Sequence, residues 1–287
     1  MSKNDKIIRF GPAGNSEEFY NQGHKSSVEA PKWIFEYGLN AFEYSFGRGV
    51  KLNEEMAEQI KAETERYNIA LSVHAPYYIN FATFETEKIE KNRQYVLDTF
   101  RLAKIMGATR VTIHPGSCAK VERKKAFNQN LNAFKAIYDE LLKLGYDDII
   151  PCPETMGREN QLGTVDEIIE MANIDKRIIP TIDFGHVNAI TQGGLKTQDD
   201  FKSLLDKLEN GLGAERVQNL HCHFSRIEYT AKGEKCHLTY DDNRFGPDFE
   251  PLAKEFKRRG LTPRIICESK GTMARDARIF KDIYDRI

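Results

Sequence analysis

A (β/α)₈ barrel, the TIM barrel, is the fold class that this sequence predicts, and three observations predict it. Short apolar runs and long amphipathic segments alternate along the 287 residues, and eight such runs can be counted. The segments between them carry apolar residues at helical spacing with charges interleaved. Six of the eight runs end in a side chain able to bind a metal: His74, His114, Glu154, Asp183, His221 and Glu268, at successive spacings of 40, 40, 29, 38 and 47 residues. Each spacing accommodates one strand–helix unit. A doubly wound open sheet is the main alternative.

The runs, in order, are IIRFGPAG, AFEYSFG, ALSVHAPY, RVTIHPGS, DIIPCPETM, IIPTIDFGH, VQNLHCHFS and RIICES. Between them NEEMAEQIKAETERYN, KNRQYVLDTFRLAKIMG and KAFNQNLNAFKAIYDELLKLG read as helices, and Gly38, Gly107, Gly145 and Gly260 stand where helices stop. Residues two apart on a strand share a face. Ser72 and His74 therefore oppose Leu71 and Val73, and Thr112 and His114 oppose Val111 and Ile113. Likewise Thr181 and Asp183 oppose Pro180 and Ile182, and Ile266 and Glu268 oppose Ile265 and Cys267. In a closed barrel the apolar set meets the helices, and the ligand set points inward at the carboxyl ends of the strands. The longest irregular stretch, about Arg226 to Pro247, follows the seventh run, and a loop of that length is usually functional. No composition break marks a linker, so residues 1–287 are expected to form one barrel domain.

Composition narrows the function classes. Lys and Arg number 42 against 43 Asp and Glu, so nucleic-acid binding would have to rest on a local patch. No apolar run approaches a membrane span, so no membrane partner is expected. The amino-terminal MSKNDKIIRF lacks a signal-peptide core, and a cytoplasmic protein is expected. The five cysteines are odd in number, widely spread and without a CxxC pair, which fits a reducing compartment. There is no Walker A loop or GxGxxG, and Ser117 in HPGS has no nucleophile-elbow context.

Histidine placement is the sharpest signal. Six of the seven histidines (His74, His114, His186, His221, His223 and His237) lie at or just after strand ends, beside three carboxylates. A lone histidine is more often a satisfied core or surface group. A rim of nine such residues points to a metal centre, and imidazole with carboxylate suits zinc, manganese or iron(II) better than magnesium. A carboxylate can bridge two ions ~3.5–4 Å apart, the arrangement used in phosphoryl displacement.

At HAPYYIN (74–80), HPGS (114–117), PETMG (153–157), DFGHVNA (183–189), HCHFS (221–225) and Glu268, the sequence resembles the endonuclease IV family of apurinic/apyrimidinic (AP) endonucleases. The resemblance covers essentially the whole chain. It implies a (β/α)₈ barrel that hydrolyses double-stranded DNA 5′ to abasic sites, with two or three Zn²⁺ per chain and Mn²⁺ or Fe²⁺ as alternatives. A monomer is expected. Carried over residue by residue, His74 and His114 would bind one ion and Glu154 would bridge it to a second completed by Asp183 and His221. His186 and His237 would bind a third. Glu154 and Glu268 would be the catalytic carboxylates, Glu268 bridging near the second and third ions. Arg48, Tyr77 and Tyr78 would face DNA; for the tyrosines, rim packing is the alternative. The RKK run at 123–125 reads better as a solvated helix start than as a phosphate contact.

Two departures stand out. The family's Asp-x-His after strand seven is here Lys235-Cys236-His237, and the loop IEYTAKGEKCHL differs from the bacterial pattern. The missing third-site ligand could be Glu268, Glu234 or water; Glu268 is favoured, which would make this site the weakest. His223 receives no role. The runner-up function is a single-metal sugar isomerase or epimerase using Glu154, Asp183, His221 and Glu268. A third reading is a non-catalytic metal-dependent nucleic-acid-binding protein.

Overall fold

The structure is a computed structural model and describes residues 7–47, 49–118 and 121–287. Eight parallel strands form the barrel: β1 (Arg9–Pro12), β2 (Ala41–Ser45), β3 (Ala70–His74), β4 (Arg110–Ile113), β5 (Ile150–Pro153), β6 (Thr181–Asp183), β7 (His221–Phe224) and, last in the chain, β10 (Arg264–Cys267). They fall into two four-stranded arcs, β2-β3-β4-β5 and β1-β10-β7-β6. Single bridges close the ring, Ala13 with Glu43 and Glu154 with Thr181. All eight apolar runs thus become barrel strands, as the alternation predicts.

The helices cover the outside because each buries one stripe. In α4 (Thr86–Ile105) the buried positions include Val96, Phe100 and Ala103; in α5 (Arg123–Lys143) they include Phe127, Asn130, Phe134, Ile137 and Leu141. That is the i, i+3, i+4 stripe of an amphipathic helix. Gly38, Gly107, Gly145 and Gly260 all take positive φ after a helix, which glycine adopts without a Cβ clash. Near the last strands, Phe224 packs edge-on against Phe249 and Phe280, ring centroids 5.1 Å away in both cases. Those two rings belong to α10 (Phe249–Arg259) and α11 (Met273–Arg286), so the contacts fix both helices to β7.

The stretch after β7 is more regular than its sequence suggested. It contains an antiparallel hairpin, β8 (Ile227–Thr230) and β9 (Gly233–His237), outside the barrel ring. Two glycines let it dock on the loop after β5. A Cβ at Gly233 would lie 2.1 Å from the Gly157 carbonyl oxygen, and one at Gly157 would lie 2.8 Å from Glu234 Cβ and 2.9 Å from His186 Cδ2. The Glu234 amide donates to that carbonyl at 2.8 Å. The RKK run begins α5; Arg123 pairs with Glu167 and donates to the carbonyls of Glu159 and Gln161, a structural role. All five cysteines are free. Among the described residues, no helix is long and apolar enough to cross a membrane.

Candidate metal centre

Inward-facing side chains at the carboxyl ends of the strands converge into three groups, and a fourth, Glu43, His221 and His223, lies one layer deeper in the barrel. The first is His74, His114 and Glu154. His74 ends β3 and donates from Nδ1 to the Ala75 carbonyl at 2.6 Å; His114 follows β4 and donates from Nδ1 to the Tyr77 carbonyl at 3.2 Å. Each ring therefore turns Nε2 inward, and both Nε2 atoms meet the same oxygen, Glu154 Oε2, at 3.3 and 3.1 Å. Backbone carbonyls that fix the far nitrogen of an imidazole are what orients metal-ligating histidines.

The second group is Glu154, Asp183, His223 and Glu268. His223 Nδ1 lies 3.0 Å from Glu154 Oε1 and 3.4 Å from Glu268 Oε1. The two oxygens of Glu154 thus look into different groups. Asp183 Oδ1 accepts the His186 amide at 2.8 Å and so caps the helix α7 (Phe184–Ile190). Its other oxygen, Oδ2, is buried without a hydrogen-bond partner. That oxygen lies 3.3 Å from His186 Nδ1 without a hydrogen bond to it, and a buried carboxylate oxygen in that state among other carboxylates is costly unless a cation is meant to lie there, so these residues fit a divalent metal.

The third group is His186, Glu234 and His237. His186 Nδ1 donates to the Thr155 carbonyl at 2.9 Å, and its Nε2 lies 3.6 Å from Glu234 Oε2. His237 Nδ1 meets Ser225 Oγ at 2.8 Å. Glu234 and His237 arrive on the hairpin, whereas His186 comes from the barrel.

Two expectations need correction. The first paired His221 with Asp183. The parallel register sets Asp183 beside His223 and Thr181 beside His221, so His221 lies one layer deeper. There it is fully buried and donates to Glu43. The second took Glu268 as the missing third-site ligand. Glu268 belongs to the second group, and Glu234 stands beside His186 and His237. Lys235, which occupies the family's aspartate position, turns away and pairs with Glu228 at 2.6 Å. Sequence reasoning missed Glu43 and left His223 unassigned. Spacing could have identified His223: it lies 40 residues after Asp183 (223 − 183), matching the two earlier intervals of 40.

The electrostatics are those of a site with excess buried charge. Burial opposes ionisation of Glu154, yet His223 and His114 hold its carboxyl well below the usual range. Burial likewise opposes protonation of His74 and His186. Glu154 outweighs this at His74, and Asp183, Glu154 and Glu234 outweigh it at His186, raising each to about 9. Asp183 goes the other way: burial, with Glu268 and Glu154 nearby, raises it to about 6. His221 is pushed down to about 3 by burial, which its Glu43 contact only partly offsets, and is neutral.

A cavity of about 480 Å³ opens above the site, lined among others by His74, His237, Glu268 and Lys270. Tyr77 and Tyr78 stand on the rim, 59% and 40% exposed, with ring centroids 5.5 Å apart. Arg48 lies outside the described residues.

With this geometry in view, comparison with known proteins gives the class first. The chain belongs to the xylose isomerase-like TIM barrel family, whose model matches residues 31–283. Its relatives then divide. An uncharacterized protein of Methanocaldococcus jannaschii is 32% identical over 80% of this chain and 82% of its own length. A probable endonuclease 4 of Enterococcus faecalis is 28% identical over 71% of this chain and 70% of its own, in line with the resemblance read from the motifs. Among solved structures, endonuclease IV from Thermus thermophilus superposes with a TM-score of 0.72 at 21% identity, covering 97% of this chain and 100% of that one. A D-tagatose 3-epimerase-like protein also reaches 0.72, at 20% identity, covering 97% and 96%. At these identities the structural likenesses establish the fold alone.

Proposed function

We propose that this protein is a metal-dependent phosphodiesterase that cleaves double-stranded DNA on the 5′ side of abasic sites, using two or three divalent ions, zinc first among them. The observation that carries the reading is the presence of three contiguous ligand groups where a one-metal reaction needs only the second. His74 and His114 would hold one ion, with Glu154 spanning to a second held by Asp183, His223 and Glu268. His186, Glu234 and His237 would hold a third. Three protein ligands leave a position open for water or substrate, the usual arrangement at a catalytic zinc. Bound divalent ions supply acidified water and neutralise charge on a phosphodiester.

The chain's own residues do the rest. The carbonyls of Ala75, Tyr77 and Thr155 hold the imidazoles of His74, His114 and His186 in one orientation, so the centre is organised before DNA arrives. Glu154 keeps two groups in register because its two oxygens serve different sides. Tyr77 is tied to the centre through its own carbonyl, which places its exposed ring at the rim. There Tyr77 and Tyr78 can stack against bases flanking a nucleotide that has lost its own. Turning such a nucleotide out of the helix costs less than flipping a normal base.

A single-metal sugar epimerase remains the second reading, because the second group alone has four ligands and an epimerase-like structure superposes equally well. One experiment separates them. A labelled duplex carrying a chemically reduced abasic nucleotide cannot break by β-elimination. The zinc-loaded protein should cut it to leave a 3′-hydroxyl and should bind at least two ions per chain. No cleavage, with one ion per chain, would favour the epimerase.

A further inference from the structure

At the amino-terminal end of the barrel, opposite the ligand groups, three strands begin with arginine. Arg9 opens β1, Arg110 opens β4 and Arg264 opens the last strand, β10, and all three are buried. The period of two that aims Glu268 inward also aims Ile266 and Arg264 inward, and the same parity joins His114 to Thr112 and Arg110. Arg9 and Arg264 stand beside each other in the parallel register. The interior therefore runs from a guanidinium end to a carboxylate and imidazole end. The arginines donate to backbone carbonyls: Arg9 to Asn68 at 2.9 Å, Arg110 to Leu220 and Asn219 at 3.1 and 2.9 Å, and Arg264 to Leu71 at 2.9 Å.

Arg264 is the informative one. Its terminal nitrogens are taken by neutral groups, the Leu71 carbonyl and Thr109 Oγ1, at 2.9 and 3.0 Å. Its Nε has no hydrogen-bond partner, although the residue is only 7% exposed. Among the described residues no carboxylate pairs with it. The acid whose charge reaches it, Glu43, is already engaged by His221 and Thr112 at 2.8 and 3.3 Å. Burial, with Arg110 and Arg9 nearby, pushes Arg264 down to about 9, so it still carries its charge at pH 7. A buried cation without a paired anion is costly. Beside it lies a cavity of about 300 Å³, lined among others by Arg264, Arg9, Asn68, Thr109 and Asn219. At ~30 Å³ for each water, that is room for a small oxyanion and part of its hydration. Glu65, the carboxylate among the described lining residues, is exposed and lies 3.9 Å from Lys61. We propose that this cavity is an oxyanion site, in which Arg264 binds a phosphate or sulfate group through its open Nε, with Arg9 as the adjacent positive charge. The group is either a free ion or the terminal phosphate of a small monoester. Guanidinium donors match the oxygens of such groups in charge and geometry. The site lies at the opposite pole from the metal centre and does not depend on how that centre is read.

Protein labelled with ¹³C and ¹⁵N is titrated in turn with inorganic phosphate, sulfate and glycerol 3-phosphate, with sodium chloride holding the ionic strength constant. The reporter is the Nε–Hε line of Arg264, assigned through its own side-chain carbons. The expected result is a saturable shift of that line with phosphate and sulfate and none with chloride. In Arg264→Gln, phosphate binding followed at the Arg9 line should weaken ~10-fold or more, the loss expected for a hydrogen bond to a charged group. Glycerol 3-phosphate binding more tightly than phosphate assigns the site to a terminal phosphate, and the reverse order assigns it to the free ion. An Arg264 line that moves with none of the three overturns the proposal, as do shifts confined to the histidines of the metal centre. So does chloride that moves the line as far as phosphate, or a variant that binds phosphate as the parent does. If Arg264→Gln fails to fold, the parent titrations decide alone.

Discussion

Lowering the pH should strip this centre of its ions in a way that counts its histidines. In the metal-free protein His74 and His186 titrate at about 9, and His223 is also raised well above its ordinary value. At pH 7 a group titrating at about 9 is protonated roughly a hundred to one. Each of these rings must lose a proton before it can bind a cation, so metal loading should release two to three protons at pH 7. For the ion faced by His74, one displaced proton makes the affinity fall about tenfold per pH step, or ~10² between pH 8 and pH 6. The assay is calorimetric titration with Zn²⁺ in buffers of different ionisation enthalpy, which gives the proton count directly. Stability of the metal-free protein supplies a second signature, of opposite sign. A histidine whose folded value is raised from 6.5 to about 9 contributes stability that is complete below pH 6.5 and is lost as the pH climbs through 9. At 1.36 kcal/mol for each tenfold, that is about 3 kcal/mol per histidine. Asp183, raised to about 6, acts in the lower window between 3.8 and 6. The metal-free melting temperature should therefore drop from pH 6.5 to 9 while metal affinity rises over the same interval. A release of no protons, with affinity flat in pH, would refute the claim that buried carboxylates hold these rings charged until a metal replaces the protons.

Four further outcomes follow from named contacts. Glu154→Gln should reduce cleavage by more than ~10²-fold with an unchanged circular dichroism spectrum, because one carboxylate faces both the first and second groups; parent-like turnover would contradict that. Glu234→Gln should lower the ion content measured by atomic emission, whereas Lys235→Ala should not, since Lys235 is turned toward Glu228. Replacing Tyr77 and Tyr78 together by Ala should weaken binding to an abasic duplex while leaving metal content intact, and unchanged affinity would return both rings to simple rim packing. Phe224→Ala should cost ~3–5 kcal/mol in urea unfolding, because the ring is buried between α10 and α11.

The barrel was legible in the sequence because two periods were separable. Short apolar runs that alternate faces, set between helical stripes ending at glycine, leave few other architectures. The inward face of β3, β4, β6 and β10 was read correctly for the same reason. The period of two carries no information about depth, however. His221 and His223 lie on the same face of β7, and only the register against β6 separates them, setting one beside Thr181 and the other beside Asp183. Glu43 escaped notice for a related reason. In AFEYSFG it sits mid-strand, where a buried glutamate is improbable unless paired, and its partners lie on β4 and β7, 69 and 178 residues away. Glu234 ranks behind Glu268 in the sequence because nothing in its neighbourhood marks the hairpin that carries it inward. The signal lay in two glycines, Gly157 and Gly233, whose mutual approach only the fold reveals.

The two functional readings meet in the second group and part at the hairpin. Glu154, Asp183, His223 and Glu268 come from four consecutive barrel strands or their ends, so the ring itself positions them whatever the loops do. The third group is different. His186 is fixed by the Asp183 cap and the Thr155 carbonyl, but Glu234 and His237 reach it only because β9 docks on the loop after β5. That docking leaves no room for a side chain at Gly157. Gly157→Ala should therefore act selectively. A methyl 2.8 Å from Glu234 Cβ and 2.9 Å from His186 Cδ2 forces the hairpin outward, at a cost of ~1–3 kcal/mol. The ring, and with it the second group, should stay in place. If the centre is a multi-ion phosphodiesterase, the variant should lose an ion and most of its cleavage together. If it is a one-metal epimerase, the variant should keep its single ion and its activity, because the displaced hairpin contributes no ligand to the second group. Ion count and cleavage measured on the same preparation distinguish the two. A variant that loses an ion yet cuts abasic DNA at the parental rate would show that the third group is not part of the reacting site.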